Sequence, residues 1–163
     1  MPDPSENRDL ATVFSVFNEI NILSQLSRAM FEARLPSGVL LAHFALLNHL
    51  TRVRDGQTPL ALARAFQVPK TTMTHTLMIA ERHGWVETRP NPRDGRSKQV
   101  WLTAEGRRFR EEAIAAVAPD LQAIADGFPS EDMTVLLPRL SALRAFLDAR
   151  RENGDQVSNG STG

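Results

Sequence analysis

The chain has 163 residues, 42% of them hydrophobic, and no formal net charge, which suits one compact domain with a real core rather than a disordered polypeptide. It contains no cysteine, so disulfides, thiolate metal sites and thiol redox sensing are excluded. The neutral total conceals an uneven distribution: residues 51–110 hold twelve Lys and Arg against five Asp and Glu, a net of +7 that the remaining residues balance with −7. A basic middle between acidic ends is a footprint of nucleic-acid binding.

Residues 1–9 are polar, lack apolar periodicity and are expected to form a flexible N-terminus. They do not resemble a secretory leader, and no apolar run approaches a membrane span, so a cytoplasmic protein without membrane association is expected. Leu10, Val13, Phe14, Phe17, Ile20 and Leu23 recur at helical spacing and predict a long first helix that ends before Pro36. A second helix, apolar on nearly every side and therefore buried, is expected to follow Ser37 as N-cap and to stop at the polar "RDGQ". Thr58 followed by Pro59 reads as a cap and a first-turn proline opening the short helix "PLALARAF".

After a turn at Gln67–Pro69, a helix over about Lys70 to His83 divides into two faces. Met73, Leu77 and Ala80 form a packing stripe, whereas Thr71, Thr74, His75, Met78 and Arg82 form a polar stripe free to read a partner. Gly84 ends that helix, and "WVETR" with "KQVWLT" predicts two strands joined across Asn91–Ser97, with the prolines at the tip. Trp101, alternating with Val100 and Leu102, is expected to face away from the core side of the hairpin and to pack rather than stack on DNA. Thr103 caps a fifth helix marked by Phe109, Ala113, Val117, Leu121 and Ile124. Ser130 caps a sixth lined by Leu136, Leu140, Leu143 and Leu147, and residues 152–163 are expected to form a flexible tail. The formal acceptor at Asn159 lies in that tail and carries no weight without a secretory signal.

This order gives a mainly α fold with a small two-stranded β wing: a winged helix-turn-helix over 37–103, flanked by helical regions over 10–36 and 104–151. The second helix of the motif is placed to enter a major groove. A cationic, sharply turned hairpin tip suits a narrow groove lined by phosphates. Lys70 and Arg82 are better placed for phosphate than for bases.

The stretch "LALARAFQVPKTTMTHTLMIAERHGWVETRPNPRDGRSKQVWLTAEG" resembles the MarR-type transcriptional regulators, above all in Asp94-Gly95-Arg96, which matches the family's Asp-x-Arg wing signature, and in the "LTAEG" that opens the next helix. The resemblance implies that Arg96 reaches into the minor groove, that Asp94 holds the turn, and that Arg93 and Lys98 join the wing contact. It also implies that Lys70, Thr71, Thr72, Thr74 and His75 supply the major-groove and phosphate contacts. Three positions depart from the pattern: Gln67 for a frequent Gly, Pro69 for a capping Ser, and Ala80 for a larger apolar residue. The resemblance further implies a homodimer built from the first, fifth and sixth helices, which their long amphipathic stripes favour independently, and half-sites about 34 to 36 Å apart in a palindromic operator. A small aromatic or phenolic effector is implied in the crevice between dimer helices and winged region, where Phe17, Asn21, His43 and Phe44 are candidates to line it.

No cofactor and no metal are expected, because His43, His49, His75 and His83 form no tight ligand cluster. No Gly-x-Ser-x-Gly, Walker loop or dinucleotide fingerprint supports an enzyme. The leading expectation is a ligand-responsive repressor that binds double-stranded DNA. The alternative is a winged-helix module for protein–protein interaction, against which the Thr-rich face and the absence of exposed aromatic anchors argue.

Overall fold

A computed structural model of the chain describes residues 4–159. The elements are α1 (Pro4–Glu32), α2 (Leu41–Arg52), α3 (Pro59–Ala65), α4 (Lys70–Arg82), β1 (Val86–Pro90), β2 (Lys98–Leu102), α5 (Ala104–Gly127) and α6 (Ser130–Asn159). They form two compact units, the first ending at Pro119 within α5 and the second beginning at Asp120.

Helix α1 takes in residues 4–9, where the sequence shows no apolar periodicity. Pro4 stands at the first helical position, where a missing N–H costs nothing and the fixed φ already suits a helix. Helix α2 starts at Leu41 rather than directly after Ser37. Residues 36–39 instead close a turn, with Val39 N donating to Pro36 O at 3.0 Å. The expected caps of α3 and α5 are present: Thr58 Oγ1 accepts from Ala61 N at 3.2 Å, and Thr103 Oγ1 from Gly106 N at 3.0 Å. Ser130 is the first residue of α6, and the carbonyl of the preceding Pro129 accepts from Met133 N. The backbone of α6 continues through 152–159, where a loose tail was expected; residues 160–163, with most of the glycosylation sequon, lie outside the described residues.

In the first unit, α2, α3, α4 and the hairpin share one core. Leu46, Leu47, Leu62, Ala80 and Val100 are fully buried, and Met73, Leu77, Trp85 and Leu102 nearly so. The strands pair antiparallel, Val86 opposite Leu102 and Pro90 opposite Lys98, so that Val100 and Leu102 point inward. A short third rung is added by Gln57, which bridges Val100. Trp101, on the other face, is half-buried and packs over Gly56, where a Cβ would come within 2.6 Å of the indole. Helix α5 closes on the hairpin just as tightly: a Cβ on Gly106 would lie 2.1 Å from the Trp85 carbonyl oxygen, which accounts for glycine at this point of "LTAEG". Trp85 stacks between His83 and Phe109, with ring centroids 4.3 and 4.0 Å apart.

Candidate nucleic-acid interface

Helix α4 is presented by the turn before it. Helix α3 ends at Ala65, and Gln67 then adopts φ +53°, a left-handed conformation that a glycine would take without strain. Val68 N returns to Ala63 O at 3.1 Å, completing the bend. Pro69 is the N-cap of α4 and offers no side-chain acceptor, so no side chain caps the first turn. Lys70 is accordingly the first helical residue, and Pro69 does not displace the start of the helix.

The two faces of α4 divide as the spacing predicts. Met73, Leu77 and Ala80 are buried, and Thr76 joins them, while Lys70, Thr71, Thr72, Thr74, His75, Met78 and Arg82 are exposed. The Thr74 hydroxyl donates to Lys70 O at 2.8 Å, which leaves its oxygen lone pairs facing outward as acceptors.

The wing tip is tied by Asp94, the residue expected to hold the turn, and by Asn91 and Ser97, which sequence reasoning did not single out. Asn91 Oδ1 accepts from Arg93 N (3.0 Å), Asn91 Nδ2 donates to Ser97 Oγ (2.8 Å), and Ser97 Oγ donates to Asp94 O (3.2 Å). Asp94 Oδ1 accepts from Arg96 N at 3.0 Å. Asn and Asp habitually make such local bonds in turns, so the signal was present in "NPRDGRS" but could not be assigned partners. At the base of the wing Asp55 has a similar role, its Oδ1 accepting from Gly56 N and from Leu102 N, 47 positions away, each at 3.0 Å.

Eight of the twelve cations of the basic segment fall into two sets. Arg89 is paired with Glu87 and lies over the Trp101 ring, Arg107 is 3.7 Å from Asp55, Arg108 is paired with Glu105, and Arg110 donates to Asn48. Among the described residues no ion pair engages Lys70, Arg93, Arg96 or Lys98. Lys70, Arg96 and Lys98 line one cleft of about 520 Å³ between the start of α4 and the wing, with Asn91 and Asp94. Arg93 points to the other side of the wing, where it lines a smaller cleft with Arg54.

The four candidate effector residues do not converge. His43 is buried and lines a cleft of about 760 Å³ whose opposite wall is the Thr71, Thr72, His75 and Thr76 side of α4. Phe44 turns into the core, its ring 5.6 Å from that of Phe31. On α1, Phe17 is half-buried and Asn21 exposed, and neither lines this cleft. The ring of Phe44 is taken up by the core and does not line the cleft that His43 walls. Among the described residues no group of three His, Asp or Glu side chains could hold a metal ion, and no helix is long and apolar enough to cross a membrane.

Residues 37–97 match the model of the MarR family. A crystal structure of a MarR family transcription regulator is 25% identical, with a TM-score of 0.67 over 91% of this chain and 99% of that one. A mutant MarR from E. coli complexed with operator DNA is 25% identical, with a TM-score of 0.68 over 81% of this chain and 95% of that one. The PcaV transcriptional regulator from Streptomyces coelicolor, in complex with its natural ligand, shares the fold at 19% identity, with a TM-score of 0.63 over 80% of this chain and 90% of that one.

Proposed function

We propose that this chain, whose residues 37–97 match the MarR family model, is a cytoplasmic homodimeric repressor of that family that binds a palindromic double-stranded operator and releases it on binding a small aromatic or phenolic effector. The observation that carries the DNA reading is the set of unpaired cations. Lys70, Arg96 and Lys98 gather around one cleft beside the exposed Thr face of α4, while Arg89, Arg107, Arg108 and Arg110 are held by protein partners. In this reading Lys70 and Lys98 take phosphates, and Arg96 enters the minor groove from a tip that Asp94 and Asn91 preset. Arg93 takes backbone phosphate on the other side of the wing.

Thr71, Thr72, Thr74 and His75 face the major groove. With its proton directed to Lys70 O, Thr74 offers an acceptor, which matches the amino groups of adenine and cytosine there. Dimerisation is supported by apolar side chains left open on α1 and α6, among them Leu10, Phe14, Leu137 and Phe146. The effector reading is supported by the cleft between His43 and α4, where an occupant would press directly on the reading helix.

Selection of duplexes from random DNA, followed by salt-dependent titration, tests this function. A palindrome should emerge. Thr74→Ala should weaken the selected duplex by about 1 to 3 kcal/mol relative to random DNA. Arg96→Ala should weaken both and lower the salt slope by about 1 per subunit. An Arg96→Ala dimer with unchanged affinity and slope on both duplexes would leave a protein-interaction module as the better account.

A further inference from the structure

His43 is 2% exposed, yet its imidazole makes a specific bond: Nδ1 accepts the backbone N–H of Leu40 at 2.9 Å. Leu40 is the N-cap of α2 and His43 stands three residues on, so the ring does for this helix what a Glu or Gln does in a capping box. Next to it, Glu32 Oε1 from α1 accepts from Leu41 N at 2.9 Å. Two donors at the start of α2 are thus satisfied by side chains from two elements, and the ring of His43 also forms the wall of the cleft that faces α4.

A histidine that accepts through Nδ1 keeps its one proton on Nε2. A second proton would point an N–H at the N–H of Leu40. It would also place a buried positive charge at the positive end of the α2 dipole. The ionisable groups facing the ring are Glu32 from α1 and, from α4 and its C-cap, His75 and His83. Burial, followed by His83 and His75, holds the His43 pKa below the ordinary histidine value of 6.5. A folded-state pKa below the unfolded one means that the stabilisation is complete above the unfolded value and is lost as pH falls through the folded one.

We propose that neutral His43 is a positioning residue for the reading head, holding the start of α2 in place behind α4, and that its protonation releases this hold and weakens DNA binding. The proposal rests on the DNA-binding reading for its consequence but not for its structural part.

The test compares the full-length wild type with His43→Asn, whose Oδ1 can accept from Leu40 N without titrating, and with His43→Leu, which cannot accept. Each is titrated with a duplex that the wild type selects from random DNA, and each is melted without DNA, at about pH 7.5, 6 and 5. The wild type should lose roughly three- to tenfold more affinity than His43→Asn between the extremes, the worth of one hydrogen bond, and its melting temperature should fall further. His43→Leu should be weaker than both at the highest pH. Parallel pH profiles of wild type and His43→Asn in both measurements would overturn the proposal. If no duplex is selected, the DNA reading fails, and the melting profiles alone decide whether His43 holds α2. If His43→Asn does not fold, nitrogen NMR of the wild-type ring decides instead: a proton on Nε2 at neutral pH supports the proposal and one on Nδ1 overturns it.

Discussion

Leu62 in α3 and Leu137 in α6 are the same side chain in opposite surroundings, the first fully buried and the second 68% exposed. The contrast extends to the regions that contain them. Between α2 and the start of α5 the chain completes its own core, with Leu46, Leu47, Leu50, Met73, Val100 and Leu102 closing on one another. Along α1 and α6, apolar residues recur at helical spacing but stay open, with Leu10 at 69%, Phe14 at 74% and Phe146 at 58% exposure. Periodicity alone therefore does not reveal which helices bury their stripe within one chain. A short helix between other elements finds a neighbour on several sides, whereas one of about 30 residues extends beyond any small core and needs an equally long partner.

The largest effect that could break this comparison lies on α1. If a second copy covers the open stripe, Phe14→Ser removes two phenyl groups from a symmetric interface, at about 1.5 to 3 kcal/mol each. Sedimentation at low micromolar concentration should then show a dimer for the wild type and a largely dissociated species for the variant. Equal association of the two would remove Phe14 from the interface. The next effect belongs to the winged region: Leu62→Ala should cost about 2 to 5 kcal/mol in denaturant unfolding, since the residue is fully enclosed. A loss below 1 kcal/mol would mean that this core is looser than its burial implies.

The smallest effect is at the turn between α3 and α4. Gln67 holds φ +53°, so Gln67→Gly should stabilise by about 0.5 kcal/mol, the relief of left-handed strain less the entropy that glycine loses on folding. The same unfolding measurement, made on both proteins, should show a midpoint shifted slightly upward. A downward shift would show that the Gln67 side chain contributes more than its backbone costs.

Much of the candidate site was legible in the residues because its signals are local. Thr58-Pro59 marks a helix start through its own backbone chemistry, and the split of α4 into a Met73–Leu77–Ala80 stripe and a Thr71–Thr74–His75 stripe follows from helical geometry alone. The start of α2 was misplaced at Ser37 because its cap is a histidine within the helix, and His43 has no reputation as a cap. Asp55 was passed over as part of a polar stop, since its partner at Leu102 is far along the chain. The grouping of Phe17, Asn21, His43 and Phe44 around one crevice was drawn from the resemblance, and the fold sends Phe44 into the core.

By itself the sequence determined the order of elements, the buried stripe of the reading helix and the cationic wing, because helix periodicity, caps and turn residues act over a few positions. Tertiary structure alone decided which arginines are already paired, why positions 56 and 106 must be glycine beneath Trp101 and Trp85, and that His43 closes the end of a helix beside α4. Those facts depend on atoms brought together from distant parts of the chain, and such contacts form only when the whole core packs at once.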